Sequence, residues 1–181
     1  MADTRGLRHY LRRGGVIAYP TESCYGLGCE PRNYRAVQRL LAIKGRPERK
    51  GLIVIAGRFT QLKPYLTPLQ PEQIKELHTK WPGPHTWLVP ASRNCPFWLT
   101  GRHPTLAVRV TAHRPAAQLC NDAGMALVST SANRSGQRPA RTARECAALF
   151  GNQVRIISGR VGKRRRPSTI QDFVSGKILR P

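Results

Sequence analysis

An α/β fold is what this sequence predicts, and three observations predict it. Turn signals recur roughly every ten to fifteen residues, and strand-like and helix-like segments alternate between them. The apolar strand Val16 to Tyr19 runs straight into a turn dense in hydroxyls and glycines, followed by a helix and a second apolar strand. The chain has 181 residues, 40% of them hydrophobic, which is about one domain and enough to bury a core. No internal repeat, long linker or second-domain boundary interrupts it, so residues 1–181 are expected to form one domain.

The elements follow in order. Val16 to Tyr19 is a buried strand. Tyr34 to Ile43 is a helix with Val37, Leu40 and Leu41 on one face and Asn33 as its cap. Leu52 to Ala56 is another apolar strand. Pro71 opens a helix whose Ile74, Leu77 and Trp81 share a face, and Pro82-Gly83-Pro84 ends it. Trp87 to Pro90 and Thr105 to Thr111 are strands. In the second, Leu106, Val108 and Val110 point one way while Ala107, Arg109 and Thr111 point the other, so Arg109 leaves the sheet on the less apolar face. Pro115 opens a short helix that Gly124 closes, and Met125 to Val128 returns as a strand. Thr142 to Glu145 reads as a capping box ahead of Cys146 to Phe150, with Gly151 past the end. Val154 to Ile157 and Ser168 to Phe173 are weaker strands, and Lys163 to Arg166 is expected to be a mobile basic loop.

Charge narrows the partners. Lys and Arg number 31 against 9 Asp and Glu, a formal +22, and a polyanion suits such a surface, whether nucleotide or RNA. Aromatics make up 7% without an RNA-stacking pattern, so any RNA contact is expected to be led by phosphates and sensitive to salt. Five cysteines without a C-x-x-C pair suggest neither a disulfide framework nor a zinc ribbon. Residues 1–15 lack the apolar core of a signal peptide, and no apolar run approaches membrane-spanning length. A cytoplasmic protein with reduced cysteines and no membrane contact is expected.

The polar residues fall into clusters. Thr21 follows Pro20 at a strand end, where open α/β sheets bind ligands, with Glu22, Ser23 and Tyr25 beside it and Gly26 and Gly28 permitting close approach of backbone. Lys44 and Arg46, stiffened by Pro47, end the first helix, and a point charge with a planar fork can clasp phosphate or carboxylate oxygens. A lone lysine there would more simply cap the helix dipole. Ser129, Thr130, Ser131 and Asn133 follow a strand and are too polar to be buried without partners. Arg141 extends that wall, and Ser168 could add a hydroxyl. No phosphate-binding G-x-x-x-x-G-K-[ST] motif occurs, and Gly26-x-Gly28 lacks the third glycine of a dinucleotide fingerprint. The five histidines show no metal-ligand spacing, and Cys24 has no cue marking it as an activated thiolate.

Five segments in order, YPTESCYGLG, KGRPERKGLIV, WPGPHTW, LAVRVTAHR and STSANRSG, closely resemble the YrdC/TsaC family, and the match runs over nearly the whole chain. The length is similar to the family's short bacterial form. The resemblance implies an open, twisted sheet of mixed strand direction with flanking helices around a basic concavity. It implies condensation of L-threonine, bicarbonate or CO2, and ATP to threonylcarbamoyl-AMP and pyrophosphate. A separate transferase complex then uses the product to modify N6 of an adenosine in tRNA. Lys44, Arg46, Ser131 and Asn133 match the family's Lys-x-Arg and Ser-x-Asn pairs and are the expected catalytic set. Thr21 matches the hydroxyl associated with the threonine site. Arg109, Ser129, Arg141 and Ser168 occupy ligand-facing motif positions, and Arg180 resembles the basic residue of the family's Leu-Arg-Pro-Gly ending, of which this sequence has Leu179-Arg180-Pro181. Mg2+ is expected to arrive bound mainly through the phosphates of ATP, and direct contact with tRNA is a further expectation. The chain departs from the family's pattern at Lys50-Gly51-Leu52. Two other readings stand beside this one: a basic RNA-binding or ribosome-assembly protein without catalysis, and a carbamoyl-transfer module as in hydrogenase maturation.

Overall fold

The structure, a computed structural model, describes residues 4–181. Residues 1–3, the start of the segment read above for a leader, lie outside the described residues. In chain order the elements are α1 (Thr4–Arg12), β1 (Ile17–Pro20), β2 (Tyr25–Gly28), α2 (Tyr34–Lys44), β3 (Ile53–Ala56), α3 (Pro71–His78), β4 (His85–Pro90) and α4 (Phe97–Thr100). They continue with β5 (Thr105–Val110), α5 (Arg114–Ala123), β6 (Leu127–Ser131), α6 (Ala143–Phe150), β7 (Arg155–Ile156), β8 (Thr169–Asp172) and β9 (Ile178–Arg180). All the strands join one sheet in the order β7-β1-β2-β6-β3-β5-β4-β8-β9. Strands β1/β7, β3/β5 and β4/β8 pair parallel, and the other neighbours pair antiparallel. The mixed direction expected from the family resemblance is therefore present.

The two faces of the sheet are used differently. On one, Val54, Ala56, Val108, Val110 and Val128 pack with Val37, Leu40 and Leu41 of α2, Leu77 of α3 and Phe150 of α6 in the main core. On the other, Ile17, Tyr19, Ile55 and Leu127 form a second core with Leu7 and Leu11 of α1 and Ala116, Leu119, Cys120 and Ala123 of α5. Those two helices cover only part of that second face. Farther along it stand Ile53, Ala107 and Ser129, which are register partners on β3, β5 and β6 and have a cavity over them instead of a helix. Period-two alternation in β5 thus sends Leu106, Val108 and Val110 to the core and Ala107 and Arg109 to the cavity, as its sequence predicts.

Caps set the helix ends that matter for the site. Asn33 Oδ1 accepts from Ala36 N at 3.0 Å, and α2 stops at Gly45, whose φ of 63° is left-handed. Thr142 Oγ1 caps α6 by accepting from Glu145 N, but Glu145 answers to Arg141 N and not to Thr142 N, so the expected reciprocal box is displaced by one residue. Three elements carry no clear local signal. Strand β2 is half glycine, and it is glycine for a reason of space: a Cβ on Gly28 would stand 2.7 Å from Val128 O and 2.8 Å from the Tyr19 ring. Helix α1 offers only Leu7 and Leu11 as buried anchors in a basic segment, and β9 is a three-residue edge strand. Strand β6 also runs to Ser131, beyond the Val128 end expected for it, so two of the serines lie in the sheet.

Candidate functional site

The cavity holds about 490 Å3 and is bounded by the ends of several elements. The turn after β1, the corner after α2, the end of β6 and the β8–β9 pair all contribute to its wall. Thr21, Lys44, Arg46, Arg109, Ser129, Ser131, Ser168 and Arg180 line it together. Leu52, Ile53, Leu88, Leu99 and Leu179 supply an apolar wall that the sequence reading did not find. Among the described residues no Asp or Glu lines it, so its charge is one-sided.

At its center is the Lys44 ammonium. Nζ donates toward Ser131 O at 2.6 Å and Asn133 Oδ1 at 2.8 Å, with longer contacts of 3.2 Å to Ser131 Oγ and Asn133 O. The backbone locks this meeting in place, because Ser135 N donates to Lys44 O at 2.8 Å across the end of α2. Burial, and then the neighbouring Arg46 charge, pull the lysine down to about 8. It remains mainly protonated at neutral pH and becomes neutral in mild alkali.

Asn133 is buried and does not line the cavity. Its Oδ1 takes Lys44 Nζ and Ser131 Oγ, and its Nδ2 donates to Arg134 O and Gln137 O. Both polar atoms of its amide are thus engaged inside the protein, against Lys44, Ser131 and the loop that follows. Arg141 is also absent from the cavity wall, although its charge, with those of Arg109 and Lys44, reaches the Cys24 thiol. Burial outweighs those charges and pushes that thiol up, which agrees with an unactivated cysteine.

Arg46 spends one edge on its own loop. Nε and Nη2 donate to Gly51 O at 3.3 and 2.9 Å, and burial draws the guanidinium below its ordinary range. The departure at Lys50-Gly51-Leu52 is thereby explained: Gly51 has φ 63° and ψ 174°, and a Cβ there would stand 2.8 Å from Thr100 O. Glycine lets this loop lie against the end of α4 and present its carbonyl to Arg46.

The hydroxyls are oriented by their neighbours. Thr21 Oγ1 donates to Cys24 O at 2.7 Å, leaving only acceptor capacity for a ligand. Ser129 Oγ accepts from Tyr19 OH at 2.8 Å, leaving its own proton for one. Ser168 Oγ lies 2.9 Å from Thr86 Oγ1 and accepts from Arg180 Nη2 at 3.1 Å, while Arg180 Nε holds Ser168 O at 2.9 Å. Burial and the facing Arg109 charge both lower the Arg180 guanidinium. Arg109 is buried, its Nη2 lies 3.4 Å from Glu22 Oε2, and its Nε has no hydrogen-bond partner.

The basic run 163–166 is anchored near this turn, since Gly162 N donates to Thr21 O and Arg164 N to Glu22 O. His85 does not line the cavity and lies tilted against Trp87, with ring centroids 4.5 Å apart. Among the described residues no group of three or more His, Cys, Asp or Glu is placed to hold a metal ion, and no helix is long and apolar enough to cross a membrane.

Comparison with known proteins points the same way. Residues 9–181 match the family model of Sua5/YciO/YrdC proteins, described as "Telomere recombination". The chain is 64% identical over 177 residues to the threonylcarbamoyl-AMP synthase of Methylobacillus flagellatus, covering 98% of each. It is 60% identical to that of Thiobacillus denitrificans, covering 97% of this chain and 93% of the relative. P. abyssi Sua5 in complex with L-threonine superposes with a TM-score of 0.89 at 32% identity over 98% of this chain, which spans 53% of that longer protein.

Proposed function

The chain belongs to the Sua5/YciO/YrdC family, and from that membership we infer that it is a threonylcarbamoyl-AMP synthase working as one YrdC-like unit. It condenses L-threonine, bicarbonate or CO2, and ATP to threonylcarbamoyl-AMP and pyrophosphate. The observation that carries the reading is the convergence of Lys44, Arg46, Ser131, Arg109 and Arg180 on one cavity without a facing carboxylate.

The chemistry suits such a wall. The threonine amine attacks CO2 or bicarbonate to give a carbamate, and a carbamate oxygen then attacks the α-phosphate while pyrophosphate leaves. Both reactants are anions, so cations and oriented donors are needed more than an acid–base pair. Lys44 has three protons and four oxygens around it, and the two contacts of 3.2 Å are those a phosphate or carbamate oxygen displaces. Among the described residues Arg46 Nη1 has no hydrogen-bond partner, and Arg46 lines the same cavity as Lys44. Arg109, which lines the cavity, offers its guanidinium charge to a carboxylate, and Thr21 Oγ1 accepts from the substrate amine. The apolar wall of Leu52, Leu99 and Leu179 limits water, which would hydrolyse a mixed carbamic–phosphoric anhydride.

Among the described residues the cavity wall carries hydroxyls and cations but no carboxylate, and the adjacent Glu22 is paired with Arg109. Mg2+ would accordingly be brought by ATP and not by side chains of this wall, and would supply neutralisation of phosphate charge. The product passes to a tRNA-modifying transferase complex, and direct tRNA contact through the basic surface is part of the same proposal, its signature being retention that falls steeply with salt. A cytoplasmic location follows from ATP chemistry and five free cysteines.

The deciding experiment incubates purified protein with threonine, bicarbonate, Mg2+ and ATP and identifies the adenylate by mass spectrometry. Pyrophosphate release that depends jointly on threonine and bicarbonate is expected. Release that ignores either one overturns the reading, and no release at all favours a binding protein.

A further inference from the structure

We propose that Glu22 is a positioning residue for the amino-acid half of the reaction, acting through Arg109. The pair is the only ion pair among the described residues, in a chain with 31 Lys and Arg against 9 Asp and Glu. A carboxylate held in so basic a chain, next to the cavity yet not lining it, is placed to act on another residue and not on a ligand.

Its surroundings hold it from several sides. Thr111 Oγ1 donates to Glu22 Oε1 at 2.7 Å, leaving Oε2 to face Arg109 Nη2 at 3.4 Å. Thr111 also accepts from His113 N at 3.2 Å, so the carboxylate's support is itself fixed to the start of α5. The Glu22 carbonyl accepts from Arg164 N, and a Cβ on Gly162 would stand 2.5 Å from that same carbonyl, so the 159–166 segment is packed hard on this residue. Both side chains are nearly enclosed, at 9% and 13% exposure.

The consequence for Arg109 is orientation. A planar guanidinium has five protons in a fixed fork, and the Glu22 charge 3.4 Å from Nη2 favours one direction for the whole group. Nε is buried without a hydrogen-bond partner and so is Glu22 Oε2, which leaves the ion pair as the contact that holds the guanidinium at the cavity wall. Lys44, Arg46 and Arg180 line the same cavity, and repulsion from them would drive an unpaired guanidinium out of this pose. Glu22 opposes that drift. It also lies within one residue of Thr21, whose hydroxyl faces the amine end of the same substrate, so one turn sets both ends of an amino acid.

This rests on the synthase reading, because the ligand of Arg109 is taken to be the carboxylate of threonine. The test compares Glu22→Gln, Arg109→Gln and the double variant by steady-state pyrophosphate release. Glu22→Gln is expected to raise KM for threonine about ten- to a hundredfold, as a misplaced binding group does, while KM for ATP stays within about threefold. In the Arg109→Gln background, Glu22→Gln should add nothing further. An unchanged or lowered threonine KM in an active Glu22→Gln enzyme overturns the proposal, as do additive effects in the double variant.

Two controls keep it decidable. Thr111→Val leaves the charge and removes only the bond to Oε1, and should raise threonine KM in the same direction by less, which covers a Glu22→Gln protein that does not fold. The 15N–1H signal of Arg109 Nε, observed without substrates, should be protected from exchange in the wild type and lose protection in Glu22→Gln. If the wild type makes no adenylate, the synthase reading falls by itself, and an unaltered Nε signal still overturns the positioning role.

Discussion

Lys44 Nζ lies 2.8 Å from Asn133 Oδ1 across 89 residues of chain, and both groups are buried. The contact ties the last turn of α2 to the loop beyond β6. The amide of Asn133 thereby holds the ammonium, while Lys44, Arg46 and Ser131 line the cavity.

Removing either cation should therefore stop the chemistry and spare the fold. Lys44→Ala and Arg46→Ala are each expected to lower adenylate formation at least about a hundredfold, in the range seen when a donor to a developing charge is lost. Circular dichroism and the melting curve should show a folded protein in both. Near-normal turnover in either variant removes that residue from the reacting set.

Asn133→Asp tests the holder role with almost no change of shape. A carboxylate at Oδ1 favours charged Lys44, raising its proton affinity, but it also fixes the ammonium more firmly and repels phosphate. Nucleotide affinity is expected to fall about tenfold or more, measured by calorimetry with a non-hydrolysable ATP analogue. Equal or tighter binding would show that Asn133 does not act through Lys44.

The pH dependence follows from the same lysine. Its proton affinity is lowered by burial and by Arg46 to about 8, so the charged form is present below that value and is lost as pH rises through it. ATP-analogue affinity should weaken above pH 8. In Lys44→Arg, which stays charged, the alkaline loss should vanish even though overall affinity drops. Binding is the proper readout, because an α-amino group titrates in the same region and would blur the rate. A flat wild-type profile between pH 7 and 9.5 contradicts the assignment.

Much of this was legible locally. The helix ending at Lys44, its Asn33 cap and the alternation that aims Arg109 off the sheet all follow from residues close in sequence. What escaped was set by distance or by space. The pairing of Glu22 with Arg109 joins a turn to a strand without any periodic signal, and Leu99 and Leu179 reach the cavity wall only through tertiary packing. Asn133 and Arg141 sit in polar segments like those of their neighbours, and nothing local says that one faces inward to a lysine and the other stands off the wall. Strand β2 was hidden because glycine has low strand propensity, although close backbone approach is why it is there.

The corner that presents Arg46 depends on Gly51, which offers a test of the loop itself. Its φ of 63° with ψ of 174° belongs to a region that side chains avoid, and a Cβ would meet the fixed backbone oxygen of Thr100 at 2.8 Å. Gly51→Ala must move either this loop or the end of α4, at a cost of about 1–3 kcal/mol. Because Gly51 O receives both Nε and Nη2 of Arg46, the shift also releases the guanidinium from its set direction. The melting temperature should drop by several degrees, and adenylate formation should fall more than that loss of stability explains at a temperature where the variant is fully folded. Gly45→Ala is the matched control: it too has positive φ, but no atom lies within 4 Å of its added Cβ. It should lose stability while keeping more of its activity, and equal losses in the two variants would mean that the Gly51 carbonyl does not position Arg46.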